Sequence, residues 1–204
     1  MYYRISEAYR AMKHLKMYHK VSPAEYPQSF GGFSFRRFDG SGSDISAWDK
    51  ICRNGIIGEN EGEEAFTRRM IEAEGYRPEN VFFVLLDGKP VATATVLCPE
   101  KGVGTVHMVA ALPEVRGKGV GRYLAEIFNA CLYECGCERA FLLTNEFRVP
   151  AIRSYLRAGF LPVLYEEDME SRWSSWLGEN GYSEVEAVGE NGEFIKILCP
   201  DKRD

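Results

Sequence analysis

The segment Val115-Arg116-Gly117-Lys118-Gly119-Val120-Gly121-Arg122 lies between an apolar stretch, Val106 to Leu112, and an amphipathic one that starts at Tyr123. A basic, glycine-rich turn between a strand and a helix exposes backbone N–H groups at the helix N-terminus. The first turn of a helix has no internal acceptors for those groups, and the helix dipole is positive there. Such a turn suits an anion, phosphate above all. The chain is expected to hold a phosphorylated ligand on a fold that alternates strand and helix.

The flanking pattern supports a mixed α/β class. Val81-Phe82-Phe83-Val84-Leu85-Leu86 reads as a strand, Asp87-Gly88 as a hairpin turn, and Val91 to Leu97 as the returning strand. Thr105 to Ala111 makes a third strand that leads into the glycine turn. After it, Val120, Leu124, Ile127, Cys131 and Cys135 recur at helical spacing, and Gly136 is placed to end the helix. Ala140 to Thr144 reads as a strand. Pro150 opens a helix that Gly159 ends, and Phe160 to Tyr165 reads as a further strand. Upstream, residues 6–19 suggest a helix and Phe33, Phe35 and Phe38 a short strand, with Arg36 and Arg37 on a solvated edge. Ser43 or Asp44 would cap a helix carrying Ile45, Trp48 and Ile51, and a second short helix is expected from Glu63 to Glu74. Downstream, Glu170 to Leu177 suggests a helix and Phe194 to Leu198 a final edge strand.

Hydrophobic residues make up 45% of the 204, enough for one sizeable core. A net charge of −5 argues against a general nucleic-acid binder and suits a cationic acceptor. The first twenty residues carry Arg4, Glu7, Arg10, Lys13, Lys16 and Lys20 without an apolar run, so no signal peptide or membrane association is expected. The six cysteines lack paired CxxC spacing and are read as reduced thiols of a cytoplasmic protein, with no metal site.

Neither common nucleotide fingerprint fits the turn. A P-loop needs Lys-Ser/Thr after its last glycine, and Gly121 is followed by Arg122 and Tyr123; a dinucleotide turn counted from Gly117 and Gly119 reaches Arg122 where its third glycine should be. What fits is Arg-x-x-Gly-x-Gly at Arg116, Gly119 and Gly121. The run from His107 to Gly121 resembles the acetyl-CoA signature of the GNAT superfamily of acyltransferases. Separately, Pro150-Ala151-Ile152-Arg153-Ser154-Tyr155-Leu156-Arg157-Ala158-Gly159-Phe160 resembles that family's later Ala-Ile-x-x-Tyr-x-x-x-Gly-Phe block. The match covers about residues 105–165, and its local form is similar to acetyltransferase domains of the mycothiol synthase type.

The resemblance implies a mixed, mainly antiparallel sheet split around acyl-CoA, with helices on both faces. It implies that backbone N–H groups of Arg116, Gly117, Lys118, Gly119, Val120, Gly121 and Arg122 bind the CoA pyrophosphate. Val109, Ala110 and Ala111 would pair with the pantetheine arm, and an N–H near Val109 would polarise the thioester carbonyl. Tyr155 matches the family tyrosine that faces the CoA sulfur; its phenol is protonated at neutral pH and can donate. His107, with an ordinary pKa near 6.5, is the candidate base, and a structural histidine is an equal reading. Glu114 and Glu146 are weaker alternatives. Arg148 stands where many family members carry Asn, and it would bind CoA, bind an acidic substrate group, or sit solvated. Trp48, Trp173 and Trp176 would line the acceptor pocket or, for at least two of them, pack in the core.

The expected organisation is one acetyltransferase domain, with 1–32 as an N-terminal extension, 33–165 as the core and 166–204 as a C-terminal extension. The expected reaction is acetyl transfer from acetyl-CoA, with no metal, to a small-molecule or protein amine. A monomer or homodimer is expected. A non-catalytic acyl-CoA-binding module of the same fold and a protein-interaction domain using the Trp173 to Leu177 tail are the competing readings.

Overall fold

The computed structural model describes residues 14–58, 61–62 and 64–200. The chain divides into two compact units, residues 21–140 and residues 1–20 together with 141–204.

The unit 21–140 is built on an antiparallel meander of β2 (Phe33–Arg37), β3 (Val81–Leu86), β4 (Lys89–Glu100) and β5 (Val103–Ala111), adjacent in that order. The tight turn between β3 and β4 has Asp87 and Gly88 both at positive φ, the conformation whose twist matches that of its flanking strands. β4 is buried without interruption from Val91 to Leu97, so both of its faces are covered.

Strand alternation identifies the two covers. Thr95 pairs across the ladder with Val81 and with His107, which places all three on one face. There the Thr95 hydroxyl contacts Met70 of a π-helical turn, Thr67–Ile71, and Phe66 meets Trp48 of α1 (Gly42–Cys52) edge-on at 5.1 Å. Phe82 lies on the other face, in an aromatic cluster with Phe35, which in turn meets Tyr123 of α2 (Val120–Glu134). A Cβ at Gly104 would lie 2.2 Å from Leu132, so the glycine lets α2 approach the sheet.

Several local expectations need correcting. The cap of α1 is Ser41, whose hydroxyl accepts the Asp44 N–H, and not Ser43 or Asp44. Asp44 is buried instead, and receives Arg36 in a bidentate pair at 2.7 and 2.5 Å. Arg36 is therefore not a solvated edge residue; a buried carboxylate needs a charged partner. Arg37 likewise donates to Glu134 and to the Tyr26 hydroxyl. The helix expected from Glu63 is shorter, runs from Ala65 into the π turn, and Glu63 itself lies outside the described residues.

The other unit contains β6 (Arg139–Thr144), β1 (Leu15–Lys20) and β7 (Leu161–Pro162), adjacent in that order; β6 belongs to it from Phe141 onward. Residues 15–19 are thus strand and not the expected helix. Leu15 and Met17 alternate inward with no exposure, and β1 runs antiparallel to β7. Residues 6–13 of that expectation lie outside the described residues. α3 (Val149–Arg157) has Pro150 in its first turn and ends before Gly159, as expected. α4 (Met169–Asn180) is longer than expected and buries Trp173 and Trp176. Trp48 is buried as well, so all three tryptophans pack as core residues. The strand expected over 160–165 shrinks to two residues plus a bridge from Val163 to Val188. The final strand, β9 (Phe194–Leu198), pairs with an unexpected β8 (Val185–Val188) in a separate hairpin.

The fold is mixed α/β with a mainly antiparallel sheet. Among the described residues no helix is long and apolar enough to cross a membrane, and no His, Cys, Asp or Glu cluster is arranged to hold a metal ion.

Candidate active site

The glycine turn sits where the sequence places it, between β5 and α2. Gly119 is the N-cap of α2 at φ +88°, and no side chain caps the helix. The first helical bond is from the Tyr123 N–H to the Gly119 carbonyl, 3.1 Å. Helix geometry leaves the N–H groups of Val120, Gly121 and Arg122 without an acceptor in a preceding turn. Gly117 is also at positive φ, with open space around it, so both glycines permit a backbone path that other residues enter only under strain. The ring of Phe30 lies 3.3 Å from where a Gly119 Cβ would be.

The Arg116 side chain has a structural task. Its Nη2 donates to the Asn54 carbonyl at 2.7 Å and to the Ala111 carbonyl at 3.1 Å, and its Nε to Ala111 at 3.2 Å. The guanidinium ties the turn to the end of β5 and to the segment after α1. Lys118 and Arg122 are exposed, and Arg122 pairs with Glu126 at 2.9 Å. Glu114 is exposed.

One feature of β5 had no signal in the sequence. Thr93 pairs with Ala110 and Thr95 with His107, so Ala94 alone faces both Met108 and Val109. This is a β-bulge, and Met108 has φ +49°, rare for a residue with a side chain. A bulge frees backbone groups from the ladder and re-aims them. It occurs at Val109, where a carbonyl-polarising N–H was expected, and Ala110 and Ala111 follow directly.

His107 sits on β5 beside the bulge. Its Nε2 lies 2.8 Å from the Arg69 carbonyl, so Nε2 carries the proton and donates, leaving Nδ1 as the ring's acceptor. Burial pushes its pKa below 6.5, and the bond to Arg69 opposes that shift. The ring is therefore neutral at pH 7. Because the unfolded chain takes up this proton first, stability declines as pH falls below about 6.5. His19 is shifted in the same direction, also by burial. His107→Gln is expected to flatten the acid-side fall of Tm between about pH 7 and 5. An unaltered slope would mean that the ring titrates normally.

In the other unit, Tyr155 on α3 is buried, and its ring lies 6.0 Å from that of Phe160. Burial raises its pKa to about 12, opposed by the charge of Arg148. The phenol stays protonated across the physiological range. Arg148 is the N-cap of α3, with its guanidinium 5.5 Å from the Phe147 ring centroid. Its Nε is buried and has no hydrogen-bond partner. A buried donor without an acceptor costs about 1–3 kcal/mol, and a ligand oxygen would remove that cost. Glu146 pairs with Arg172 and its carbonyl accepts from Trp176, so its carboxylate is engaged in packing the unit.

The acetyltransferase (GNAT) family model matches residues 45–160, more than half of the chain. No curated protein sequence matches. Among solved structures, a GCN5-related N-acetyltransferase from Sphaerobacter thermophilus aligns at 22% identity and TM-score 0.61, over 73% of this chain and 48% of its own. A GCN5-related N-acetyltransferase from Kribbella flavida aligns at 21% identity and TM-score 0.52, over 74% and 55%. This chain thus spans about half the length of those two. Ard1 from Thermoplasma volcanium aligns at 21% identity and TM-score 0.53, over 64% and 83%. At these identities the structures share the fold.

Proposed function

The chain belongs to the GNAT family of acetyltransferases, and from that premise we propose that it transfers the acetyl group of acetyl-CoA to a primary amine by direct attack. The observation that carries this reading is the combination of backbone devices within residues 108–122. A bulge at Met108 and Val109 frees polar backbone groups, and an uncapped helix N-terminus opens at Gly119 a few residues later. The first suits a polarised carbonyl and the second a pyrophosphate.

Acetyl-CoA, when bound, supplies an acetyl group activated as a thioester. The N–H groups of the 116–122 turn would hold its pyrophosphate, and Val109, Ala110 and Ala111 would align its pantetheine arm through their backbone. The Arg148 Nε is a buried donor suited to a further ligand oxygen. The Val109 N–H would stabilise negative charge on the carbonyl oxygen. His107 Nδ1 or an ordered water would take the proton that the attacking amine loses. Tyr155 would give its proton to the departing sulfur, and its raised pKa keeps that proton available. Positioning supplies much of the rate, so no covalent enzyme intermediate is needed. The acidic net charge suits a cationic amine on a small molecule or a protein.

Tyr155→Phe should lower kcat by about 100-fold or more with little change in CoA affinity, as expected for loss of a general acid. Unchanged kcat, with chemistry rate-limiting, would remove Tyr155 from the mechanism. The competing reading is a non-catalytic acyl-CoA-binding module. Stabilisation by acetyl-CoA in a thermal-shift assay, without release of free CoA across an amine panel, would favour that module. Release of CoA with any amine would favour the enzyme.

A further inference from the structure

Four of the six cysteines converge in the unit 21–140, outside the 108–122 segment. Cys98 lies near the end of β4, Cys131 and Cys135 are one turn apart at the end of α2, and Cys137 follows. The Cys131 and Cys135 sulfurs are 4.0 Å apart. Asn80 is 2% exposed, and its side-chain amide donates to Cys135 Sγ at 3.3 Å and to Cys98 Sγ at 3.8 Å. An amide buried to serve two sulfurs is unusual, because sulfur is a weak acceptor unless it is charged.

We propose that Cys135 and Cys98 form an oxidisable dithiol, a modification site for a peroxide, in which Cys135 is the nucleophile and Cys98 the resolving thiol. The inference is independent of acetyl transfer. Both thiols are partly exposed, whereas Cys131 and Cys137 are buried, so the pair is the part of the cluster a small oxidant can reach.

The surroundings assign the roles. The Cys135 thiol is pushed well below the usual thiol range, first by Cys131, whose sulfur lies 4.0 Å away, and next by the neighbouring Cys98. Burial opposes the shift, and the Asn80 amide and the Arg77 charge reinforce it. The Cys98 thiol is pushed up, by its neighbours Cys135 and Cys137 and by burial. The Asn80 amide, closer to Cys135 Sγ at 3.3 Å than to Cys98 Sγ at 3.8 Å, favours negative charge on Cys135, which makes it the attacking and Cys98 the resolving cysteine. The backbone holds both in place. The Cys98 N–H donates to the Gly75 carbonyl at 3.0 Å, where a Cβ on Gly75 would lie 2.3 Å from the Cys98 main chain. The Cys135 N–H donates to the Cys131 carbonyl at 2.9 Å.

The chemistry balances with hydrogen peroxide as oxidant. The Cys135 thiolate attacks one peroxide oxygen and the O–O bond breaks. The hydroxide that leaves takes up the proton Cys135 has lost, giving water and a sulfenic acid on Cys135. Cys98 Sγ then attacks the Cys135 sulfur and the S–O bond breaks. The second hydroxide takes the Cys98 proton, giving another water and an Sγ–Sγ bond. Two thiols lose two electrons, and one peroxide becomes two waters.

The exposed Cys199 is a reference thiol in the same molecule. At pH 6 an ordinary thiol is only about 0.3% ionised, so iodoacetamide should label Cys135 at least about tenfold faster than Cys199 in the native full chain. One equivalent of hydrogen peroxide, followed by alkylation and digestion without reductant, should yield a peptide pair joined through Cys98 and Cys135. In Cys98→Ser, the same treatment should leave a dimedone-reactive sulfenic acid on Cys135. Labelling of Cys199 as fast as Cys135 would overturn the nucleophile. A bridge between Cys131 and Cys135, or between Cys98 and Cys137, would overturn the pair.

Discussion

Gly119→Glu is expected to abolish CoA binding, weakening Kd at least about 100-fold, or about 3 kcal/mol. Three effects act together. Gly119 is at φ +88°, which costs a residue with a side chain about 1–2 kcal/mol. Its new Cβ would press on the Phe30 ring at 3.3 Å. The added carboxylate would compete for the first-turn N–H groups that a pyrophosphate needs. The same carboxylate caps the helix dipole favourably, so it offsets part of the backbone strain and the fold should survive. Calorimetry with CoA reads the affinity, and Tm reports the fold. Gly119→Ala separates strain from charge and should lose far less affinity. Unaltered CoA affinity in a folded Gly119→Glu protein would refute the turn as the pyrophosphate site.

Removal of residues 1–20 is expected to unfold the unit that contains 141–200. β1 lies between β6 and β7, with Leu15 and Met17 fully buried. The Val163 N–H donates to the Lys16 carbonyl, the Tyr165 hydroxyl to the His14 carbonyl, and His14 hydrogen-bonds with Asn145. Burial of two such side chains contributes about 3–6 kcal/mol, against a typical total of about 5–15 kcal/mol. The loss should appear as exposure of Trp173 and Trp176 by fluorescence and as rapid proteolysis after residue 140. Met17→Asp should produce a smaller loss of the same kind. A truncated chain with native tryptophan emission and unchanged protease resistance would show that β1 is dispensable.

Particular residues explain where the sequence was legible. Asp87-Gly88 has one turn chemistry available to it, so the β3–β4 hairpin could be read directly. Gly136 and Gly159 mark the ends of α2 and α3 for the same reason. Leu15 and Tyr18 fit a helical period while Leu15 and Met17 fit a strand period, and only the neighbouring β7 decides between them. Arg36 and Asp44 are eight residues apart and polar, and nothing local indicates that one would bury the other's charge. β8, with two glutamates in or beside four residues, becomes a strand because β9 offers it a ladder.

The strand–turn–helix around Gly119 was legible in the chain alone, because glycine admits the backbone path of such a turn and unpaired first-turn N–H groups follow from helix geometry. So was the family, through two separated blocks at 107–121 and 150–160. Tertiary structure decided the rest. The Met108 bulge is a difference in register between two strands, and a register exists only once both are paired. The Nε2 proton of His107 is fixed by a carbonyl 38 residues away. The convergence of Cys98 with Cys131, Cys135 and Cys137 depends on how closely α2 packs on β4. Each is a property of a contact between distant segments, and such contacts leave no periodicity in the chain to read.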